Sequence, residues 1–209
     1  MIHPATELRF LDTELGFGVF ATRPIPRGTI VWALCERERA YTPAEVAALD
    51  PAARAHLIRY CYVDADSNTV LPCDDGRYVN HSCDPATLGV GEYLEVAVRD
   101  LAPGDQITCD YALMNLPEAL HCRCGSPRCR GTITGDDVRR HWPEWDDTLR
   151  RVAERWAEVP QPLLAHALGR PTVQGWLEGT IPVPSEYSPP LRHPRRRRSP
   201  ARAADATRR

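Results

Sequence analysis

The sequence predicts a mainly β fold of several small sheets, with short helices, a cysteine-rich metal loop and a helical C-terminal extension. Three observations predict it. Short runs rich in β-branched and aromatic residues, such as Val19-Phe20-Ala21 and Thr29-Ile30-Val31-Trp32, are separated by Pro/Gly turns. Three cysteines crowd one polar loop over residues 122–129. Toward the C-terminus the apolar spacing lengthens to three and four residues, the period of a helix with one buried face.

The elements follow in order. Arg23-Pro24-Ile25-Pro26-Arg27-Gly28 is turn chemistry between two strands. Thr42-Pro43-Ala44-Glu45 reads as a capping box with proline at the first helical position, and Asp50-Pro51 repeats the start signal, so residues 43–59 should form two short helices. Residues 60–112 return to strand character. Leu94-Glu95-Val96-Ala97-Val98 alternates, and Pro103-Gly104 punctuates before Ile107-Thr108-Cys109-Asp110-Tyr111. Residues 136–180 should be helical, with Trp145, Leu149, Val152 and Trp156 on one apolar face. Residues 188–209 are Pro, Arg, Ser and Ala with little to bury, which predicts disorder.

Composition sets bounds. The 209 residues suffice for one domain with extensions. No run of about 18 apolar residues occurs, so no membrane span is expected. Met1 to Phe10 lacks the apolar segment of a secretory signal. The eight cysteines are then expected in a reducing, cytoplasmic setting, where clustered thiols are metal ligands rather than disulfides. All 26 basic residues are arginine, which suits a GC-rich, bacterial genome, and the absence of lysine means the chain could not modify a lysine of its own. Residues 188–209 hold eight arginines and one acid, and the rest holds 18 arginines and 27 acids. An acidic body suits a basic protein partner, although solvated surface charge explains it equally. The Arg195–Arg198 run could touch nucleic acid weakly and nonspecifically through phosphates, or act as a solubilising tail.

Four segments carry chemistry. Cys122-Arg123-Cys124-Gly125-Ser126-Pro127-Arg128-Cys129 places three thiols within eight residues, and tetrahedral zinc needs a fourth ligand from Cys83, Cys109, Cys73 or His121. Cys35 and Cys61 read as small core residues. Asn80-His81-Ser82-Cys83-Asp84-Pro85 is a polar turn, and Gly104-Asp105-Gln106-Ile107-Thr108-Cys109-Asp110-Tyr111 is a turn, a strand and then Asp-Tyr. Gly16-Phe17-Gly18-Val19-Phe20 puts two glycines before a strand, where backbone could approach a ligand closely. Each of the last three is weak alone.

Their order is specific. From Gly16 to Ile133 the chain resembles the SET domain followed by the post-SET zinc motif, a family of protein-lysine methyltransferases. The resemblance implies a SET domain over residues 5–113, a post-SET segment over 118–135, a helical extension of unassigned role over 136–187 and a tail over 188–209. It implies several small sheets with a thread-through knot that brings Asn80-His81 beside Asp110-Tyr111. It implies S-adenosylmethionine as methyl donor, with the lysine of a basic protein substrate entering from the opposite face. Gly16, Phe17 and Gly18 would line the donor pocket, Asn80 and His81 would hold the donor, and Arg123 and Ile133 would close over its adenine. Cys83 would join Cys122, Cys124 and Cys129 around zinc.

Tyr111 matches the family's catalytic tyrosine, which also borders the donor, and Tyr60 aligns with a tyrosine that walls the lysine channel. The transfer needs a neutral amine aligned with the S–CH3 bond, so positioning should dominate catalysis. The chain departs from the family twice. Cys109 stands where an aromatic is usual, which predicts a roomier pocket that permits higher methylation, and Ala86 stands where Asn often follows Asp-Pro. Two other readings remain: a SET-fold peptide-binding module without turnover, which retention of Asn80, His81 and Tyr111 disfavours, and an Arg-tailed nucleic-acid binder with SET as scaffold.

Overall fold

A computed structural model describes residues 1–91, 93–116 and 118–180. Its strands are β1 (Thr6–Asp12), β2 (Gly16–Ala21), β3 (Ile30–Ala33), β4 (Arg39–Tyr41), β5 (Tyr62–Val63), β6 (Thr69–Leu71), β7 (Asn80–His81), β8 (Thr87–Val90), β9 (Leu94–Ala97), β10 (Gln106–Cys109), β11 (Leu120–His121) and β12 (Thr132–Ile133). Its α-helices are α1 (Pro43–Ala48), α2 (Pro51–Tyr60), α3 (Val138–Ala153) and α4 (Arg170–Leu177). The strands form four small sheets: β1-β2-β10-β7, β3-β9-β8, β4-β6-β5 and the ribbon β11-β12. This is the mainly β architecture the turn-punctuated sequence predicts.

Local chemistry explains the boundaries. Asp12 Oδ1 accepts the N–H groups of Glu14 and Leu15 at 2.8 and 2.7 Å, which closes the turn that pairs β1 with β2. The capping box forms as the sequence predicts: Glu45 N–H donates to Thr42 Oγ1, and the Glu45 carboxylate accepts the Thr42 N–H. Asp50 caps α2 by accepting from Ala52 and Ala53. The strand before Asp110-Tyr111 ends where that motif has it. β10 stops at Cys109, and Tyr111 opens a 3-10 turn because Asp110 Oδ1 caps the N–H of Ala112.

Two apolar cores result. One packs Val19, Ala21, Ile25, Val31, Leu101, Ile107 and Cys109 under β2 and β10. The other joins Ile30, Leu88, Val90, Leu94 and Val96 of the β3-β9-β8 sheet to Trp145, Leu149, Val152 and Trp156. All four of the predicted helical apolar residues are buried, Trp156 from a 3-10 turn just past α3. Burying each such side chain contributes about 1.5–3 kcal/mol, so the helical region is welded to the sheet. Gln161 adds polar stitching: it accepts from Ile30 N–H at 2.8 Å and donates to the Gly28 carbonyl at 2.9 Å. Among the described residues no helix is long and apolar enough to cross a membrane. The Arg195–Arg198 run and the rest of the tail lie outside the described residues.

Candidate active site and metal centre

The site begins where β2 leaves its turn. Gly16 has φ +80°, in the left-handed region that glycine tolerates. At Gly18 a Cβ would sit 2.6 Å from Gln106 Nε2 and 3.2 Å from Asn80 Nδ2. The missing side chain therefore lets Asn80 close on the strand, and Asn80 Nδ2 donates to the Phe17 carbonyl at 2.9 Å. The Phe17 ring is 41% exposed. It meets Tyr78 edge-on at 5.6 Å, and Tyr78 meets Tyr60 at 5.2 Å. Tyr60, at the last position of α2, thus reaches the site through Tyr78.

β10 pairs antiparallel with β2 and parallel with β7, setting Thr108 beside Asn80 and Cys109 beside His81. Segments almost thirty residues apart in sequence are thereby neighbours in one sheet. Tyr111 N–H donates to His81 Nδ1 at 3.2 Å, and the Tyr111 hydroxyl donates to the Val79 carbonyl at 2.9 Å. Burial pushes the Tyr111 phenol well above its usual range, with the charges of Cys109 and Glu95 adding to it. The phenol is therefore a neutral, fixed group, suited to orienting a reactant rather than to abstracting a proton. Burial also lowers the His81 imidazole below its usual value. With Nδ1 accepting, the neutral ring carries its hydrogen on Nε2, which lies 3.2 Å from Cys83 Sγ.

The cysteines converge there. Cys83 Sγ and Cys129 Sγ each lie 3.7 Å from Cys122 Sγ, and the Cys83 N–H donates to Cys124 Sγ at 3.4 Å. A zinc tetrahedron with Zn–S bonds of about 2.3 Å has sulfur–sulfur edges of roughly 3.8 Å, so both sulfur pairs fit such a centre. His81, Cys83, Cys122 and Cys124 also place their ligand atoms within 4.8 Å of one another. Burial opposes ionisation of Cys124, yet hydrogen bonds from the Cys83 and Ser126 backbone and from Cys122 and Cys129 bring it down to about 7. Burial drives Cys122 up to about 12.

Arg123 is exposed on the loop, and Ile133 is 2% exposed, opposite Leu120 in the β11-β12 ribbon. Cys73 lies 3.7 Å from Cys35 instead of near the triplet, with Glu38 as third member of that group. Cys35 is buried as predicted, whereas Cys61 is only half-buried, its thiol directed at the Ile58 carbonyl.

One group was not legible in the sequence. Arg130, directly after Cys129, donates to Asp110 Oδ1 at 2.6 Å and lies 3.7 Å from Asp137 Oδ2, while its own N–H donates to Cys83 Sγ at 3.3 Å. It clamps the cysteine loop onto the Asp110-Tyr111 corner and onto the start of α3. The only sequence signal is an Arg beside a cysteine, and nothing in the spacing connects it with Asp110.

Comparison with known proteins agrees with this arrangement. The family model described as the SET domain matches residues 16–112, just under half of the chain. The histone-lysine N-methyltransferase ash1 of Drosophila melanogaster is 31% identical over 156 residues, covering 66% of this chain and 7% of that protein. ATX2 of Arabidopsis thaliana, named a histone-lysine N-methyltransferase, is 31% identical over 141 residues, covering 59% of this chain and 12% of its own length. An H3 lysine-36 specific histone-lysine N-methyltransferase of Cryptococcus neoformans is 29% identical over 140 residues, covering 60% of this chain and 16% of that protein. The chain thus spans a small fraction of the curated relatives it matches. The motif order and the pairing of β7 with β10 accord with the match of residues 16–112 to the SET-domain family model.

Proposed function

We propose that this protein transfers a methyl group from S-adenosylmethionine to a lysine side chain of another protein. The observation that carries this reading is the junction of β2, β7 and β10, where Asn80 is tied to Phe17 and Tyr111 is tied to His81. Gly16, Phe17, Gly18, Asn80 and His81 form the donor side, with Arg123 and Ile133 as its outer cover. A donor held there supplies an electrophilic methyl on a positively charged sulfur. Tyr111 fixes the amine's line of approach, and Tyr60 with Tyr78 walls the entry. The curated relatives are named for histones, and the acidic body of this chain suits a basic substrate of that kind.

Zinc is assigned to Cys83, Cys122, Cys124 and Cys129. His81, whose Nε2 lies 3.2 Å from Cys83 Sγ, would then support a ligand sulfur from outside the four-cysteine set. The small Cys109 leaves room beside Tyr111, so products beyond monomethyl are expected.

The test is methyl transfer from labelled S-adenosylmethionine to histones, other basic proteins and a bacterial lysate. A chain without lysine keeps self-labelling low. Label on a lysine, reduced about 100-fold in Tyr111→Phe, is expected, since misplacing one positioning group costs rates of that order. Donor and zinc binding without label on any lysine would favour the binding-module reading. Product mass spectra that stop strictly at monomethyl would overturn the role given to Cys109.

A further inference from the structure

The site as described leaves one buried acid unused. Glu95 lies in β9, paired in register with Gly89 of β8 and with Trp32 of β3. Its carboxyl is enclosed by protein, yet the residue as a whole keeps some accessible surface. The Thr87 hydroxyl links it to the Thr108 carbonyl of β10, the strand that leads to Cys109 and Tyr111, and its charge raises both of those groups. Among the described residues, what acts on Glu95 is burial and the Thr87 hydroxyl, and no cation. A buried carboxyl without a cation is costly in a chain that has 26 arginines to offer.

The hydrogen bonding around it serves two states. Thr87 Oγ1 lies 2.6 Å from Glu95 Oε2 and 3.2 Å from the Thr108 carbonyl. A hydroxyl has one hydrogen. With Glu95 ionised, that hydrogen is donated to the carboxylate. With Glu95 protonated, the acid donates to Thr87 Oγ1, and the hydroxyl turns to the Thr108 carbonyl. Both states are satisfied without moving a heavy atom. Thr108 in turn precedes Cys109, on the strand that leads to Tyr111.

We propose that Glu95 receives the ε-ammonium of the incoming lysine and takes one proton from it, with the Thr87 hydroxyl turning between the two states. This rests on reading the site as a lysine methyltransferase. The step balances. An N–H proton passes to a Glu95 carboxylate oxygen and leaves a neutral amine. The nitrogen lone pair forms the bond to the methyl carbon, and the C–S electron pair stays on sulfur. The product is a methylammonium, and the Glu95 proton leaves to water. The cation that no described residue provides for Glu95 is then supplied by the substrate.

The test uses n-butylammonium as probe of the lysine side chain and n-butanol as its uncharged isostere, both titrated into the full-length protein saturated with S-adenosylhomocysteine. Wild type should bind n-butylammonium at least about tenfold more tightly than Glu95→Gln, the scale of a lost charged hydrogen bond, while n-butanol binds both equally. Thr87→Val, which keeps the carboxyl and the local shape, should lower kcat with little change in KM. Equal n-butylammonium affinity in wild type and Glu95→Gln, or none in wild type, overturns the proposal even if wild type methylates lysine. Wild type that transfers no methyl to any lysine overturns the underlying reading instead.

Discussion

At the scale of single residues, Arg130 and Asp110 hold the reacting corner. Asp110 is 1% exposed, and its carboxylate accepts from both Arg130 and the Ala112 N–H. Removing one member of a buried ion pair strands the other charge, which costs about 3–5 kcal/mol. Arg130→Met should therefore lose stability of that order in denaturant titration, and adding Asp110→Asn should return part of it. Glu95 behaves in the opposite sense. Burial raises its folded-state pKa above the ordinary glutamate value, so its ionised form costs stability. The cost is absent below the unfolded pKa of about 4.3. It grows as pH rises through the window up to the folded pKa and is constant above that. Glu95→Gln should thus melt higher than wild type at neutral pH, with the gain shrinking as pH falls toward 4, as thermal unfolding across a pH series would show. A gain that is independent of pH would contradict this account.

At the scale of elements, the contrast is between segments whose signals are local and those whose partners are distant. The Thr42-Glu45 box and the Asp50 cap specify α1 and α2 within a few residues, and both helices form where their caps predict. β10 is different. The turn before it predicts a strand, but its partners are the distant β2 and β7, and Asp110 sets its end. The cysteine loop is legible as metal-binding from spacing. Spacing alone leaves the fourth ligand open, the motif resemblance names Cys83, and the fold sets Cys83 Sγ 3.7 Å from Cys122 Sγ. The ribbon β11-β12 has just two residue pairs, and the Arg130 clamp helps to hold the loop. Zinc removal by a chelator should leave most strand signal in circular dichroism while abolishing methyl transfer, and zinc restored at one equivalent per chain should recover it. Unchanged activity after complete metal loss would remove the loop from the site.

At the scale of the whole molecule, the helices of residues 138–177 are part of the core. Trp145, Leu149, Val152 and Trp156 face the β3-β9-β8 sheet, and Asp137 at the head of α3 meets Arg130. The sheet that carries Glu95 is thus backed by α3, and the cysteine loop is tied to the same helix. The sequence by itself determined the β character, the capped helices, the amphipathic face, the thiol cluster and the motif order, because each is written in residue types within a short span. Only the tertiary structure decided that Arg130 joins Asp110 and that the Thr87 hydroxyl sits between Glu95 and the Thr108 carbonyl. Those are contacts between segments that loop closure brings together from far apart, and no local pattern records which distant partner a side chain will meet.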